Sequence, residues 1–406
     1  MAKFRYYVKP RDIDGNLTEF VEITDDIDLQ SIGKIPQKLE NDEFDIGVFK
    51  FDSFGFRVRN DHGLYSDVGE ENTIFKYKRD GCPFKLTWQR DEKVPLAGSA
   101  IAGSSFLGSE TDVIYGLLND DSSVLNTDTQ QLNFQIFSMD SVFEKTETNY
   151  AEVALAYDYE DIIYAILNVS NITEVLTVDA GNISCGLNIA PDVKSVLENT
   201  TVKEALDTVL FQSNSVLYII GTTIYVSPRD GGSVSQKTFY GLGSFDGIED
   251  IVDIPRVYSG IKTTWNYWTW KDTTLVSQDN ASVILNGVRK KEIEFDMVTN
   301  TTKRQQILDE FKDTFKDKKQ EIDLVVDVNY ENLNLSILNR VNVEYPPLYY
   351  SEFDLPLYDT ESAIYDESLY PYSEVSFIIS SSSNFKIIGK TIDTKNHLII
   401  FNLKEQ

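Results

Sequence analysis

The sequence predicts a mainly β protein that carries an inserted segment of mixed α+β structure. The first observation is composition: aromatic residues make up 12% of the 406 residues, with 22 Tyr and 23 Phe, and such residues favour strands. The second is a set of short apolar segments, bounded by turn residues, towards both ends of the chain. The third is a helix followed by a hairpin at residues 200–229. The length predicts two to four domains.

Short strands separated by turns are expected throughout residues 1–93. Segments such as Phe54–Val58 and Phe84–Trp88 are rich in aromatic and apolar residues, and Asp14-Gly15 is a turn signal. Five or six strands in this length predict a barrel or a sandwich. Residues 94–130 follow as a Gly- and Ser-rich linker with one connecting strand.

The middle segment, residues 131–253, is predicted to mix helices with strands. Thr201 followed by Glu204 is a capping-box pattern, and an apolar stripe with helical spacing comes directly after it. Two apolar strands then flank Gly221, which predicts a hairpin. A further helix is expected near residues 158–168.

Residues 254–406 return to strands and are expected to form a second β domain. Asn286-Gly287 indicates a tight hairpin turn in this part of the chain. An amphipathic helix is predicted over 302–319, and we expect it to pack on the second β domain rather than bind a partner. The apolar face of this helix consists of Ile307, Leu308, Phe311 and Phe315.

The net charge of −28 is unevenly distributed along the chain. From residue 94 to 193 the only basic side chain is that of Lys145, against fifteen carboxylates. Such an acidic surface repels phosphate, which excludes nucleic-acid binding as the main role. A general contribution to solubility is one explanation for the charge, and a pore or collar whose acidic wall lets DNA pass without binding it is the other.

Sequence motifs for catalysis and for cofactors are largely missing. Residues 98–105 have the glycine spacing of a phosphate loop but Ser104 in place of its Lys, so no nucleotide cofactor is expected. Asp12 begins a calcium-like spacing without the final Glu, so a hairpin turn explains it better. The two His and two Cys residues match no triad or metal spacing. We therefore predict no enzyme activity and no metal, although a carboxylate pair of the glycosidase type stays open.

No run of apolar residues is long enough to span a membrane, and the N-terminus lacks the apolar core of a signal peptide. We therefore expect no membrane insertion and no export by that route.

Four segments together resemble the hub proteins of bacteriophage tails and baseplates. Residues 200–229 are similar to the helix and hairpin of such hubs, and residues 132–145 resemble the strand that opens the same domain. Residues 385–404 resemble the closing hairpin of tail-barrel domains, and residues 334–345 resemble the strand pair before it. The sequence departs from that pattern at Leu338, where the family prefers a Gly-Asp turn.

This resemblance implies a non-enzymatic virion protein, assembled in the host cytoplasm as a homotrimer. Each subunit would contribute two tail-tube-like β-barrels, residues 1–93 and 254–406, with the mixed hub domain between them. Its partners would be the tail tube or distal tail protein, the spike or tip protein and the tape-measure protein, and DNA would pass through the channel without binding. The acidic residues expected on the channel wall are Asp120, Asp121, Asp158, Glu160 and Asp161.

Two other surfaces are candidates for contacts. The acidic, Tyr-rich insertion at 346–374 is predicted to be either a solvated loop or a segment that orders on a basic partner. Its candidate contact residues are Tyr358, Tyr365, Tyr370 and Tyr372. The cluster of Trp265, Trp268 and Trp270 suggests an alternative, a carbohydrate- or receptor-binding β module, although these rings could equally face a core. A distal tail ring protein is a further alternative.

Overall fold

The computed structural model places most of the chain in two compact units. It describes residues 3–41, 44–60, 63–66, 73–89, 110–126, 130–231, 236–241, 250–258, 264–317, 319–344 and 383–405. The first unit comprises Met1–Arg229, Phe295–Asn300 and Thr391–His397. The second unit comprises Asp230–Glu294, Thr301–Lys390 and Leu398–Gln406.

The first unit contains eleven strands and five helices among its described residues. The strands are β1 (Lys3–Val8), β2 (Val21–Glu22), β3 (Ile27–Asp28), β4 (Lys34–Asn41), β5 (Ile46–Lys50), β6 (Ser53–Arg59), β7 (Pro83–Gln89), β8 (Glu110–Asn126), β9 (Gln131–Ser138), β10 (Ser215–Ile220) and β11 (Thr223–Pro228). The helices are α1 (Ser141–Glu144), α2 (Tyr150–Leu155), α3 (Tyr159–Leu167), α4 (Ser170–Thr173) and α5 (Val202–Gln212).

A seven-stranded antiparallel sheet dominates the N-terminal part of this unit. Its strand order is β2-β1-β7-β8-β9-β6-β3. Alternate residues of its strands point to one buried face, as in β6, where every second side chain is buried. The core on this face is aromatic: the Phe84 ring lies 5.6 Å from that of Phe56 and 5.7 Å from that of Phe54, and Phe134 packs edge-on against Phe56. Such pairs stabilise a sheet beyond the area that they bury.

Helix α5 is followed directly by β10 of a second group of strands, as the sequence predicts. The Thr201 hydroxyl accepts a hydrogen bond from the Glu204 amide, and the Glu204 carboxylate accepts one from the Thr201 amide, which completes the capping box. The helix ends before Asn214, whose φ of 52° turns the chain into β10. β10 then pairs antiparallel with β11 and parallel with β5, and β5 pairs antiparallel with β4. This part of the prediction, including the hairpin turn at Gly221, is confirmed.

The second unit contains nine strands and three helices among its described residues. The strands are β12 (Lys237–Tyr240), β13 (Ile251–Tyr258), β14 (Tyr267–Trp270), β15 (Val276–Gln278), β16 (Lys290–Ile293), β17 (Glu321–Asp327), β18 (Arg340–Glu344), β19 (Ser383–Asp393, whose last three residues pack in the first unit) and β20 (Leu398–Glu405). The helices are α6 (Asn280–Asn286), α7 (Thr301–Phe315) and α8 (Tyr330–Asn334).

Antiparallel pairing organises most strands of the second unit. β17 lies between β13 and β20, and β19 is next to β20. β18 pairs antiparallel with β19 and parallel with β12. A separate sheet of three strands has the order β15-β14-β16, and α7 packs on it through Phe311 and Phe315, which contact Trp268.

The predicted helix at 302–319 is confirmed in position, with helical geometry from Thr301 to Phe315, and its four predicted core residues are buried. The hairpin predicted at Asn286-Gly287 is wrong. Asn286 is instead the last residue of α6, and Gly287 ends that helix with a φ of 73°. The physical reason is a helix start upstream: the Asp279 carboxylate accepts a hydrogen bond from the Ser282 amide at 2.8 Å, which caps α6.

The chain is thus mainly β with helical inserts, as the sequence predicts. The number of barrels and the boundaries of the domains stay predictions.

Candidate interaction surfaces

Three of the predicted channel-wall carboxylates lie at the start of α3, where each accepts a backbone hydrogen bond. Asp158 caps the helix by accepting from the Asp161 amide at 3.1 Å, and Asp161 accepts from the Tyr157 amide at 3.1 Å. Glu160 accepts from the amide of Cys185 at 2.9 Å. Carboxylates at this end of a helix are also favoured by the helix dipole. The fold therefore gives each of these acids a structural reason, and their place on a channel wall stays a prediction.

The other residues predicted for the channel wall and for a partner contact lie wholly or partly outside the described part of the structure. Asp120 and Asp121 belong to strand β8, but their side chains lie outside the described part of the structure. Tyr358, Tyr365, Tyr370 and Tyr372, with the whole insertion at 346–374, lie outside the described residues.

An exposed apolar and acidic surface surrounds the junction between α2 and α3. We define this acidic patch as Glu152, Leu155, Tyr157, Asp158 and Asp161. The Leu155 side chain is 82% exposed and that of Tyr157 is 73% exposed. From residue 149 to 161 the chain carries four carboxylates and no cation. An apolar pair with this exposure is a common feature of protein contact sites.

One cation lies beside the acidic patch. The Lys194 ammonium donates hydrogen bonds to the carbonyl of Ala154 and to that of Ala156. These carbonyls end α2, where a cation complements the helix dipole. Lys194 therefore leaves the patch acidic overall and fixes the turn that presents Leu155 and Tyr157.

A second exposed apolar surface lies on α6 and the residues that follow it. We define this basic patch as Ile284, Leu285, Val288, Arg289 and Lys290. Ile284 is 83% exposed, Leu285 82% and Val288 66%. From residue 280 to 291 the chain carries three cations and no carboxylate. This surface was not predicted from the sequence, because the hairpin signal at Asn286-Gly287 placed Ile284 and Leu285 in a strand and not on a helix.

The tryptophan cluster is part of a core and not a sugar-binding face. Trp268 is fully buried and Trp270 nearly so, and the Trp268 ring lies 5.2 Å from that of Phe311. Trp265 is half-buried, and its ring is covered by the Arg289 guanidinium at 5.5 Å and the Lys291 ammonium at 4.9 Å. Stacking of a sugar ring on Trp268 and Trp270, one alternative from the sequence, is therefore wrong.

Hydrogen bonding and packing account for the Asp12 spacing, the two Cys residues and His397 without a metal or a catalytic role. One oxygen of the Asp12 carboxylate accepts hydrogen bonds from the amides of Asp14 and Asn16, so the calcium-like spacing forms a turn. Burial raises the pKa of the thiol of Cys82 to about 11 and does the same for Cys185, which keeps both thiols protonated at neutral pH. His397 stacks on Phe4, whereas His62 is outside the described residues.

Neither a metal-binding cluster nor a membrane-spanning helix is present among the described residues. No group of three or more His, Cys, Asp or Glu side chains is arranged to hold a metal ion within the described ranges. No helix among those residues has the length and the apolar character needed to cross a membrane.

Solved structures of phage tail proteins share this fold over the full length of the chain. The tail protein from Neisseria meningitidis MC58 matches with a TM-score of 0.55 and 11% identity, covering 100% of this chain and 97% of that chain. The prophage tail protein gp18 from Listeria monocytogenes EGD-e matches with a TM-score of 0.50 and 10% identity, covering 98% and 94%. No protein-family model and no curated protein sequence matches the chain. The resemblance seen in the sequence is confirmed at the level of the fold: the chain has the fold of phage tail proteins.

Proposed function

We propose that this chain is a structural protein of a phage tail, located in the tail of the virion. One observation carries the proposal: the fold likeness to a tail protein extends over 100% of this chain and 97% of the other. A likeness confined to one domain could reflect a common β architecture. A fold likeness that extends over some four hundred residues is much more specific, although fold alone does not fix function.

The finer role that we propose is the hub of the tail tip or baseplate. In this role three copies join the tail tube, or a distal tail protein, to the spike and enclose the channel for the tape-measure protein and DNA. The support is the order of the hub-like segments along the chain, from residues 132–145 to residues 385–404. Two barrels, residues 1–93 and 254–406, would present six barrel units to a hexameric tube.

The proposed role is non-enzymatic, because the similar solved structures are those of tail proteins. A distal tail ring is the second candidate within the same class, and its hexameric state would distinguish it from the trimeric hub. The carbohydrate-binding alternative loses its main support, since Trp268 and Trp270 belong to a core.

An acidic channel wall is part of the hub proposal. Asp120 and Asp121 stay candidates for this wall, and their side chains lie outside the described part of the structure. For Asp158, Glu160 and Asp161 the helix start already accounts for the carboxylates. The sum of charge from residue 94 to 193 supports the wall, because a tube that releases DNA must not bind phosphate.

Deletion of the gene from the phage or prophage that carries it tests the proposal. We expect particles without functional tails, or heads and tail tubes that fail to join a tip, and complementation with the intact gene should restore normal particles. Electron microscopy of the lysate gives the result. Normal infectious tails in the absence of this chain would contradict a structural role in the tail.

A further inference from the structure

The two exposed patches have matching apolar character and opposite charge. Leu155 and Tyr157 form the centre of the acidic patch, and Ile284, Leu285 and Val288 form the centre of the basic patch. Each centre is next to charges of one sign within a short stretch of chain. Apolar side chains surrounded by polar and charged groups are the usual anatomy of a protein contact.

The folds around the patches do not need these apolar side chains. α6 buries only Ser282 among its seven residues, so Ile284 and Leu285 contribute little to the core of the second unit. α2 buries only Val153, and Leu155 is its last residue. Polar residues at these positions would serve the helices equally well and would suit solvent better. Their apolar character therefore points to a contact with another surface.

We propose that the acidic patch of one copy binds the basic patch of a second copy of this chain. Charge complementarity selects this occupant: residues 149–161 offer four carboxylates without a cation, and residues 280–291 offer three cations without a carboxylate. Every copy of this chain carries the surface that is complementary to each patch. A nucleic acid would be repelled by the acidic patch, and an unrelated partner would satisfy at most one of the two.

The contact is head-to-tail because its two sides are different surfaces. Such a contact leaves one patch of each type unused in a dimer, so it adds further copies, and these form a closed ring where the rotation between neighbours permits closure and an open filament where it does not. The inference therefore deepens the proposed hub function by naming the surfaces that would hold neighbouring subunits together. The inferred contact rests on the proposed hub function only for the number of copies in the ring. It also assigns Asp158 and Asp161 to a subunit contact, which competes with a place on the channel wall.

Two charged residues, Glu152 and Lys290, are suited to charge reversal because no described side-chain contact depends on them. Glu152 and Lys290 are exposed, and neither side chain makes a hydrogen bond or ion pair with another residue in the described part of the chain. By contrast, Asp158 caps α3, and the Arg289 Nε donates to the Thr264 carbonyl. Reversing the charge at Glu152 and Lys290 therefore changes the patches without removing these contacts.

The experiment is sedimentation velocity of the full chain over a range of concentrations. We expect the natural chain to self-associate, less strongly at about 0.5 M than at about 0.05 M salt, because the charges are screened. Glu152→Lys and Lys290→Glu should each weaken association by about tenfold or more. The double variant should associate no better than either single variant, because two carboxylates and one introduced cation leave the acidic patch a net charge of −1, and one cation and one introduced carboxylate leave the basic patch a net charge of zero.

Controls separate this contact from general effects of charge and folding. Glu174→Lys and Lys395→Glu make the same charge changes at exposed positions outside both patches and should leave association unchanged. Leu155→Ser and Leu285→Ser test the apolar centres without changing charge, and each should also weaken association. Circular dichroism checks that every variant is folded.

A folded natural chain that stays monomeric at all concentrations would overturn the inference. So would single charge reversals without effect, or a double variant that associates as strongly as the natural chain. These outcomes are distinct from failure of the proposed function. A tail particle that contains the chain and tolerates both reversals would refute this contact alone, and self-association without any place in a tail would refute the tail role alone.

Discussion

Helices α6 and α7 belong to the same unit, but α7 buries its apolar residues whereas α6 exposes them. α7 buries Ile307, Leu308, Phe311 and Phe315 against the three-stranded sheet, whereas α6 leaves Ile284 and Leu285 more than four-fifths exposed. The apolar residues of α7 build a core. Those of α6 do not, so we assign them to a contact between copies. The difference shows that burial, and not apolar character alone, identifies the residues that stabilise the fold.

The largest expected difference between the two helices concerns stability. Phe311→Ala should reduce the free energy of unfolding by about 3–5 kcal/mol, because it leaves a cavity beside Trp268 and Phe315. Leu285→Ala in α6 should change it by no more than about 0.5 kcal/mol. Urea denaturation followed by Trp fluorescence measures both, since three of the four Trp residues lie in this unit. A loss below about 1 kcal/mol for Phe311→Ala would contradict the assigned core.

Two lysines show the same contrast between a buried and an exposed side chain. Lys390 is buried, and its ammonium nitrogen lies 2.6 Å from the Leu333 carbonyl oxygen and 2.9 Å from that of Leu335. Burial lowers the pKa of Lys390 to about 7. Lys290 is exposed on the basic patch.

The sign of the pH effect follows from the lowered pKa of Lys390. Between pH 7 and about 10 the unfolded chain keeps a proton on this residue that the folded chain has lost, so stability rises with pH in that window. We expect a contribution of about 2 kcal/mol between pH 7 and 9, with little further effect below pH 6. Lys390→Met should remove this rise, and Lys290→Met should keep it. Urea denaturation at several pH values measures the slope, and an unchanged slope in Lys390→Met would contradict the assignment.

A smaller effect is expected where a helix of the core depends on its cap. Thr201→Ala removes the hydroxyl that accepts from the Glu204 amide and should cost about 1 kcal/mol. Thr208→Ala is a matched control on the same helix, because its hydroxyl only donates back to the Glu204 carbonyl. Its expected cost is below about 0.5 kcal/mol. Equal losses in both variants would show that the capping box is not what stabilises α5.

The smallest change in stability is expected for Leu155→Ser and Leu285→Ser. Each should shift the free energy of unfolding of the dissociated chain by at most about 0.5 kcal/mol, because the side chains are exposed. Thermal unfolding at low protein concentration measures this shift. A large loss of stability would mean that these residues support the fold itself, and the contrast between α6 and α7 would disappear.

The sequence predicts the regions where local signals and burial agree. The capping box at Thr201, the turn at Gly221 and the apolar face of α7 all combine a start or stop signal with a matching period, and the structure confirms them. Asn286-Gly287 carries a strong hairpin signal, but the cap at Asp279 starts a helix upstream that uses the same residues as its end. Two local signals compete there, and the helix that the Asp279 cap begins prevails over the hairpin turn.

Other features could not be predicted because they depend on long-range contacts. Leu338 adopts a φ of 63°, where the related pattern prefers Gly-Asp, and its buried side chain offsets the unfavourable backbone. The pairing of Trp268 with Phe311 joins residues far apart in the sequence and turns apparent surface aromatics into a core. The exposure of Leu155 and Ile284 likewise follows only from what the rest of the fold leaves uncovered.

The most direct test of the central claim, that this chain is a tail component, is its location in the particle. Antibodies raised against the purified chain and coupled to gold should label phage particles at the tail end distal to the head, and particles from a gene deletion should remain unlabelled. Labelling confined to that end agrees with the hub. Particles that lack the label on their tails, while the same antibody detects the chain elsewhere in the lysate, would contradict the account.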